Sequence, residues 1–398
     1  MININEALAI ILNEASPIGF VKMDIVSACG YILGEDIYSH DTLPPFDKSA
    51  MDGYALRSED TKELRQFKIE GIIKAGDFDE NMLMSGEAKK IMTGAPLPPG
   101  ADCVIEIEKV SVDQDCLNIE SSIKKGNNTI FKGEELKSGD LILEKGKLIR
   151  PVEIGVLASL GYSSVSVYKP PTIACLTTGD ELIGIDQEIN KGKIRNSNVY
   201  MLHSMVINSK AIPKIYDNVP DDKDILKKAI LEAFDTSDIV VSTGGASVGD
   251  FDFVLEVLEE IGAEVKFTKI AIKPGKPLTF ATYKDKLYFS LPGNPMSTLT
   301  SFEQFVKPAI EKILGCETYS YTNTFKVKMA EGFTLKKGRV KYIYLNIDKV
   351  GDEYIGYNIR TQCSNHLVTV SKSNGIAIIP ESVELVEKGD IFNGRFIF

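Results

Sequence analysis

The sequence predicts a multidomain protein of the α/β plus β class, with a central α/β unit built on a parallel sheet and small β modules on either side. Three observations predict it. At 398 residues the chain exceeds what one core supports, so roughly two to four domains follow. Between Pro171 and Gly315, apolar runs of strand length alternate with stretches of helical period, the pattern of a parallel sheet with right-handed crossovers. From Phe67 to Leu143, and again beyond Gly315, short alternating runs punctuated by glycine and proline read as all-β modules.

Taken in order, Ile4, Ala7, Leu8, Ile11 and Leu12 recur on one face, so a helix is expected over residues 4 to 14, ending before Pro17. Thr42 to Leu56 follows as TLPPFDKSAMDGYAL. Pro44 and Pro45 disfavour regular structure there, and Asp52-Gly53 signals a turn into a strand. So many polar and aromatic groups on one loop suit function better than mere connection. Within the first β module, Ile91 to Asp102 (IMTGAPLPPGAD) breaks the strand pattern with a proline-rich loop, and a second helix is expected at about Pro151 to Leu160.

In the α/β region, Thr172 to Leu176 is a strand running into the turn TTGDE. Helices are expected over Ser197 to Ser209, Asp222 to Phe234 and Met296 to Leu314, and Leu287 to Leu291 is a strand ending in LPGNP. The stretch Ser237 to Val254, SDIVVSTGGASVGDFDFV, reads as buried strand, glycine turn and helix. Free N–H groups of such a turn present positive partial charge to an anion such as a phosphate. Asp250 and Asp252 could hold a hydrated divalent cation beside it. An ordinary strand-to-helix turn, with Asp250 near the N-cap, is the competing reading. Ligands of open α/β sheets bind outside the carboxyl ends of the strands, so the three polar glycine turns are expected to line one pocket.

Lys269 to Phe280, KIAIKPGKPLTF, supplies a local positive cluster. Side chains alternate along an extended stretch, so Ile270 and Ile272 face the core while Lys269 and Lys273 face away. Pro274, Gly275 and Pro277 stiffen the turn that holds Lys273 and Lys276 together, a geometry suited to a tetrahedral oxyanion; a solvated hairpin is the bland alternative. That cluster matters because the chain as a whole is acidic, with a net charge of -11. Such a balance argues against a general partner for nucleic acid or acidic membranes. Cys29, Cys103, Cys116, Cys175, Cys316 and Cys363 show no metal-ligand spacing and read as reduced thiols of a cytoplasmic protein. Three histidines leave little for an imidazole-based site, and no window has membrane-spanning length.

With these residues in view, the chain resembles the MoeA family, molybdopterin molybdenumtransferases that include the E domain of gephyrin. PPFDKSAMDGYAL, IMTGAPLPPGADCVI, GEELKSGD, TTGDEL, STGGASVGDFDFV, AIKPGKP and LPGNPMS occur in that order over nearly the whole chain. Each alone is weak and the ordered set is specific. The resemblance implies an enzyme of molybdenum cofactor biosynthesis that takes adenylylated molybdopterin and molybdate, or tungstate, with Mg2+, and releases AMP. It implies a homodimer of four-domain subunits. The N-terminal dimerisation domain would be 1–26 with 45–53 and 134–170, the inserted β domain 27–44 with 54–133, the molybdopterin-binding domain 171–316 and the C-terminal β barrel 317–398.

The resemblance also assigns residues. Asp52, Asp221, Asp252, Lys273 and Lys276 would be catalytic, Asp221 and Asp252 holding the metal. Asp52 and Thr93 would act across the dimer interface, and Thr93 and Gly94 would bind substrate. Thr178, Gly179, Asp180 and Glu181 of the first turn would bind substrate, with Ser242, Gly244, Gly245, Ser247, Gly249 and Asp250 of the second. Lys269, with Pro292, Asn294 and Pro295 of the third turn, completes that set. Molybdate would sit on Lys273, Lys276, Pro277, Arg339 and Ser364, although Arg339 and Ser364 read by themselves as surface residues. The chain departs from the family pattern at Glu135, Ala246 and Cys363. No fused adenylylating domain is expected, so a separate molybdopterin adenylyltransferase would be a transient partner. Two other functions compete, that adenylyltransferase activity itself and a non-catalytic, gephyrin-like scaffold.

Overall fold

Residues 1–244, 253–359 and 365–397 are described by the structure, a computed structural model. The chain divides into two compact units, one of residues 1–34, 146–154 and 163–398, the other of 35–145 and 155–162.

The larger unit is built on a six-stranded sheet in the order Ile212–Ile215, Thr172–Thr177, Ile239–Thr243, Lys286–Leu291, Pro277–Tyr283 and Glu264–Lys269. Both faces are covered, so the strands alternate between two cores rather than between core and solvent. Ile173, Cys175, Ile239 and Val241 face one core with the helices Ile4–Glu14 and Ser197–Asn208, whereas Ala174, Leu176 and Val240 face the other with Lys223–Thr236 and Val254–Glu260. The sheet is mixed rather than wholly parallel. Its first four strands are parallel; the last two run antiparallel to their neighbours, because only Lys284 and Asp285 join Pro277–Tyr283 to Lys286–Leu291. A two-residue loop can only turn the chain back on itself. The expected helix from Met296 to Leu314 is present but interrupted: Phe302–Val306 is a π segment between Pro295–Ser301 and Lys307–Ile313. Pro308 lacks the N–H that an α-helix would donate to residue 304, which accounts for the wider turn.

The same unit carries a five-stranded closed barrel around Val327, Ile343, Leu345 and Ala377, its ring completed by pairing of Val340–Val350 with both Glu353–Asn358 and Gly375–Ile379. A short strand from the α/β region, Ile272–Lys273, adds to Val340–Val350 in parallel and ties the basic loop to the barrel.

The smaller unit is a six-stranded sheet in the order Cys103–Glu106, Gly53–Leu56, Glu87–Ile91, Gln66–Ile73, Cys116–Ile119 and Val110–Asp113, with Tyr54, Leu56, Phe67 and Leu117 in its core. No helix among the described residues is long and apolar enough to cross a membrane.

Candidate functional site

Parallel register sets the position of the site. Thr177, Thr243 and Leu291 are aligned across three adjacent strands, so the turns that follow them emerge side by side. They wall a cavity of about 680 Å³ with Thr178, Glu181, Thr243, Gly244, Pro292, Gly293, Asn294 and Pro295, joined by Asn196, Ser197 and Asn198 at the start of the helix Ser197–Asn208, and by Asn365. Gly244 has φ of +91°, and a Cβ there would stand 2.4 Å from the carbonyl oxygen of Thr178, so no other residue fits. The Thr178 hydroxyl and the Asn198 side-chain oxygen are buried without a hydrogen-bond partner among the described residues. Buried polar atoms are normally paired, so these two are available to a ligand.

The Asn198 side-chain nitrogen is fixed by donating to the Gly293 carbonyl at 2.7 Å, and Asn196 donates to the Thr177 hydroxyl at 2.7 Å while capping the helix. Sequence reasoning placed this helix but missed both asparagines. The Asn-Ser-Asn run before its first apolar residue, a capping signal, was the available clue.

Beside this cavity the acids gather. The Asp221 N–H donates to the Asp180 carboxylate at 3.3 Å, and burial, with the negative charges of Asp180 and Glu181, pushes the Asp221 carboxyl above the usual range. No group of three metal-ligating side chains occurs among the described residues. Gly179 has φ of +142° at the base of the turn, and Ser242 is fully buried with its hydroxyl on that of Tyr288 at 2.8 Å. Neither lines the cavity. Gly245, Ser247, Gly249, Asp250, Asp252 and Ser364, with the departures Ala246 and Cys363, lie outside the described residues.

A second cavity, of about 420 Å³, is lined by Lys273, Pro274, Gly275, Lys276, Pro277, Ser297, Arg339 and Lys341, with Leu335 and Ile343 among its apolar wall. Among the described residues its lining has four cations and no acid. Ile270 and Ile272 are fully buried, as alternation along the strand predicted, which turns Lys273 outward. Arg339 is held by donating to the Ile272 carbonyl at 3.1 Å. Gly275 has φ of +107° and packs on Ser301, where a Cβ would meet the hydroxyl at 2.8 Å. Lys276, Pro277 and Arg339 thus come together with Lys273, and Lys341, unnoticed in the sequence, joins them. Lys269 is exposed at the end of its strand, its carbonyl accepting from Ile2, and lines neither cavity. Pro277 lines both.

In the smaller unit Asp52 accepts from the Thr93 N–H at 2.7 Å and from its hydroxyl at 2.8 Å. Those two bonds, in that order, with a lesser contribution from Lys90, hold the Asp52 carboxyl below the usual range. Gly94, with φ of +80°, turns the chain so that its N–H reaches Ser49. Phe46, Met51 and Met92 are exposed on the same loops.

Three family models match in succession: the MoeA N-terminal region, domains I and II, over residues 2–161, a probable molybdopterin-binding domain over 174–312, and the MoeA C-terminal region, domain IV, over 326–393. The molybdopterin molybdenumtransferase of Staphylococcus aureus strain COL is 37% identical over 347 residues, 86% of this chain and 83% of the relative. That of Staphylococcus epidermidis strain ATCC 12228 is 34% identical over 403 residues, 98% of this chain and 94% of the relative. The crystal structure of the molybdopterin biosynthesis MoeA protein of Pyrococcus horikoshii OT3 superposes with a TM-score of 0.83 at 30% identity, covering 100% of both chains. The chain belongs to the MoeA family.

Proposed function

We propose that the two cavities are one reaction centre, in which this molybdopterin molybdenumtransferase brings adenylylated molybdopterin against molybdate and releases AMP. The observation that carries the reading is Pro277: it is a wall of both the larger polar cavity and the smaller cationic one.

The larger cavity suits the nucleotide-tethered pterin. The first N–H groups of the helix Ser197–Asn208 suit its phosphates, and the vacant Thr178 and Asn198 oxygens suit ligand N–H groups. Lys273, Lys276 and Arg339 suit a tetrahedral dianion, with Ser364 assigned by resemblance. These fixed cations hold molybdate against the pterin, so that the dithiolene captures the metal as the phosphoanhydride is cleaved. The like charges of Asp180 and Glu181 near the Asp221 carboxyl suit a hard divalent cation, which would offset their repulsion. Asp221, with Asp252, would hold Mg2+, which supplies charge neutralisation for the departing AMP. Asp52 and Thr93 would complete the cleft of a second copy in a homodimer. The exposed Phe46 and Met51 beside Asp52 support such an interface. Tungstate, of the same charge and shape, would serve as molybdate does. A separate molybdopterin adenylyltransferase supplies the substrate, and the reaction belongs in the cytoplasm.

The test is AMP release from adenylylated molybdopterin with and without molybdate, followed by mass spectrometry in the wild type, Asp221→Ala and Lys276→Ala. Molybdate-dependent release in the wild type, its loss in Asp221→Ala and its shift to higher molybdate concentration in Lys276→Ala are expected. Undiminished release in both variants would remove the catalytic reading. Consumption of ATP with molybdopterin and no molybdate would favour the adenylyltransferase instead.

A further inference from the structure

Lys341 is 1% exposed, the one fully buried cation of the smaller cavity among the described residues. It sits in Val340–Val350 directly opposite Lys273 of the neighbouring parallel strand. Like charges opposed on paired strands repel, and a buried ammonium without a counter-charge is costly. Among the described residues none of Lys273, Lys276, Arg339 and Lys341 takes part in a salt bridge. The Lys341 ammonium donates to the Arg339 carbonyl at 3.1 Å, which leaves two of its three N–H groups. Burial, reinforced by Lys273 and Arg339, draws its proton affinity down, with Glu381 opposing. The fold therefore holds a cation where it is uncomfortable in the absence of an anion, beside three others that share one cavity.

We propose that Lys341 is a charge-selecting residue of the oxyanion subsite, favouring tetrahedral dianions over monoanions of the same size. This rests on the reading of the smaller cavity as that subsite. Attraction scales with the charge of the ligand, so a buried cation favours a dianion about twice as strongly, in free energy, as a monoanion of equal radius. An exposed cation is screened and discriminates less. Lys341 thus does what Lys276 on the rim cannot.

The experiment is titration calorimetry of the full chain with molybdate and with perrhenate, a tetrahedral monoanion of closely similar size, in the wild type, Lys341→Met and Lys276→Ala. In Lys341→Met the molybdate Kd is expected to rise about 100-fold and the perrhenate Kd about tenfold, so the preference for the dianion shrinks about tenfold. The melting temperature without anion is expected to hold or rise, and the increase produced by molybdate to shrink, an opposition that a merely structural lysine would not produce. Lys341→Gln, which keeps a donor for the Arg339 carbonyl, covers the case in which methionine misfolds and is expected to lose the same selectivity. Equal weakening of both anions overturns charge selection. Unchanged affinities in Lys341→Met, with molybdate binding lost in Lys276→Ala, overturn the role of Lys341 and leave the subsite standing. Unchanged molybdate affinity in both variants removes the subsite as well.

Discussion

Replacing Lys276 with alanine isolates the oxyanion subsite from the rest of the protein. Its side chain is exposed at the rim and makes no hydrogen bond or salt bridge among the described residues, so its loss should leave folding almost untouched. A unit charge pair at about 4 Å is worth roughly 4 kcal/mol at an effective dielectric of about 20. Solvent at the rim screens that to the range of a charge-assisted hydrogen bond, roughly 1.5–3 kcal/mol. At 1.4 kcal/mol per tenfold, the KM for molybdate should rise about 10- to 150-fold. AMP release measured against molybdate concentration reads this directly, with the melting temperature within about a degree of wild type as the control. A molybdate KM unchanged at full folding would refute the placement of the oxyanion on this loop.

Other consequences follow from the larger cavity and from the Asp52 loop. Gly244→Ala forces a Cβ to within 2.4 Å of the Thr178 carbonyl at a φ of +91°, so it should cost about 1–3 kcal/mol in strain and weaken substrate binding, read as a lower melting temperature and a higher KM for the adenylylated pterin. Asp180→Asn removes a like charge beside Asp221, whose carboxyl is pushed up by burial and by its acidic neighbours; NMR titration of the metal-free protein should find the Asp221 pKa moved back toward the ordinary value, and an unmoved pKa would show that Asp180 does not act on it. Thr93→Val removes the hydroxyl bond to Asp52 but keeps the stronger N–H bond, so NMR titration should find the Asp52 pKa raised part of the way toward the ordinary value. The lowered pKa of Asp52 stabilises the fold above the unfolded value near 3.9, and that contribution disappears as pH falls through the folded one; in Thr93→Val it should disappear at higher pH.

How far the fold was legible depended on the range of the interaction. Local patterns carried well: the helix Ile4–Glu14, the burial of Ile270 and Ile272, and the polar turns after Thr177, Thr243 and Leu291 all follow from period and turn chemistry. Pairings between distant segments left no such signature. That Ile272–Lys273 becomes a strand of the barrel, and that this sets Lys341 opposite Lys273, depends on a partner nearly 70 residues away. Arg339 reads from its own surroundings as a surface residue and gains meaning only from its bond to Ile272. Lys341 was missed because a lysine in an alternating strand looks solvated, whereas both faces of this one are covered. The hairpin at Lys284 and Asp285 was hidden by the α/β rhythm around it, so the sheet was expected to be more uniformly parallel than it is.

The most direct test of a shared reaction centre is anomalous diffraction from crystals holding tungstate. The heavy atom is expected within hydrogen-bond reach of Lys273, Lys276 and Arg339, on the side of the cavity bounded by Pro277. Strong density elsewhere, with this cavity vacant at saturating tungstate, would contradict the account.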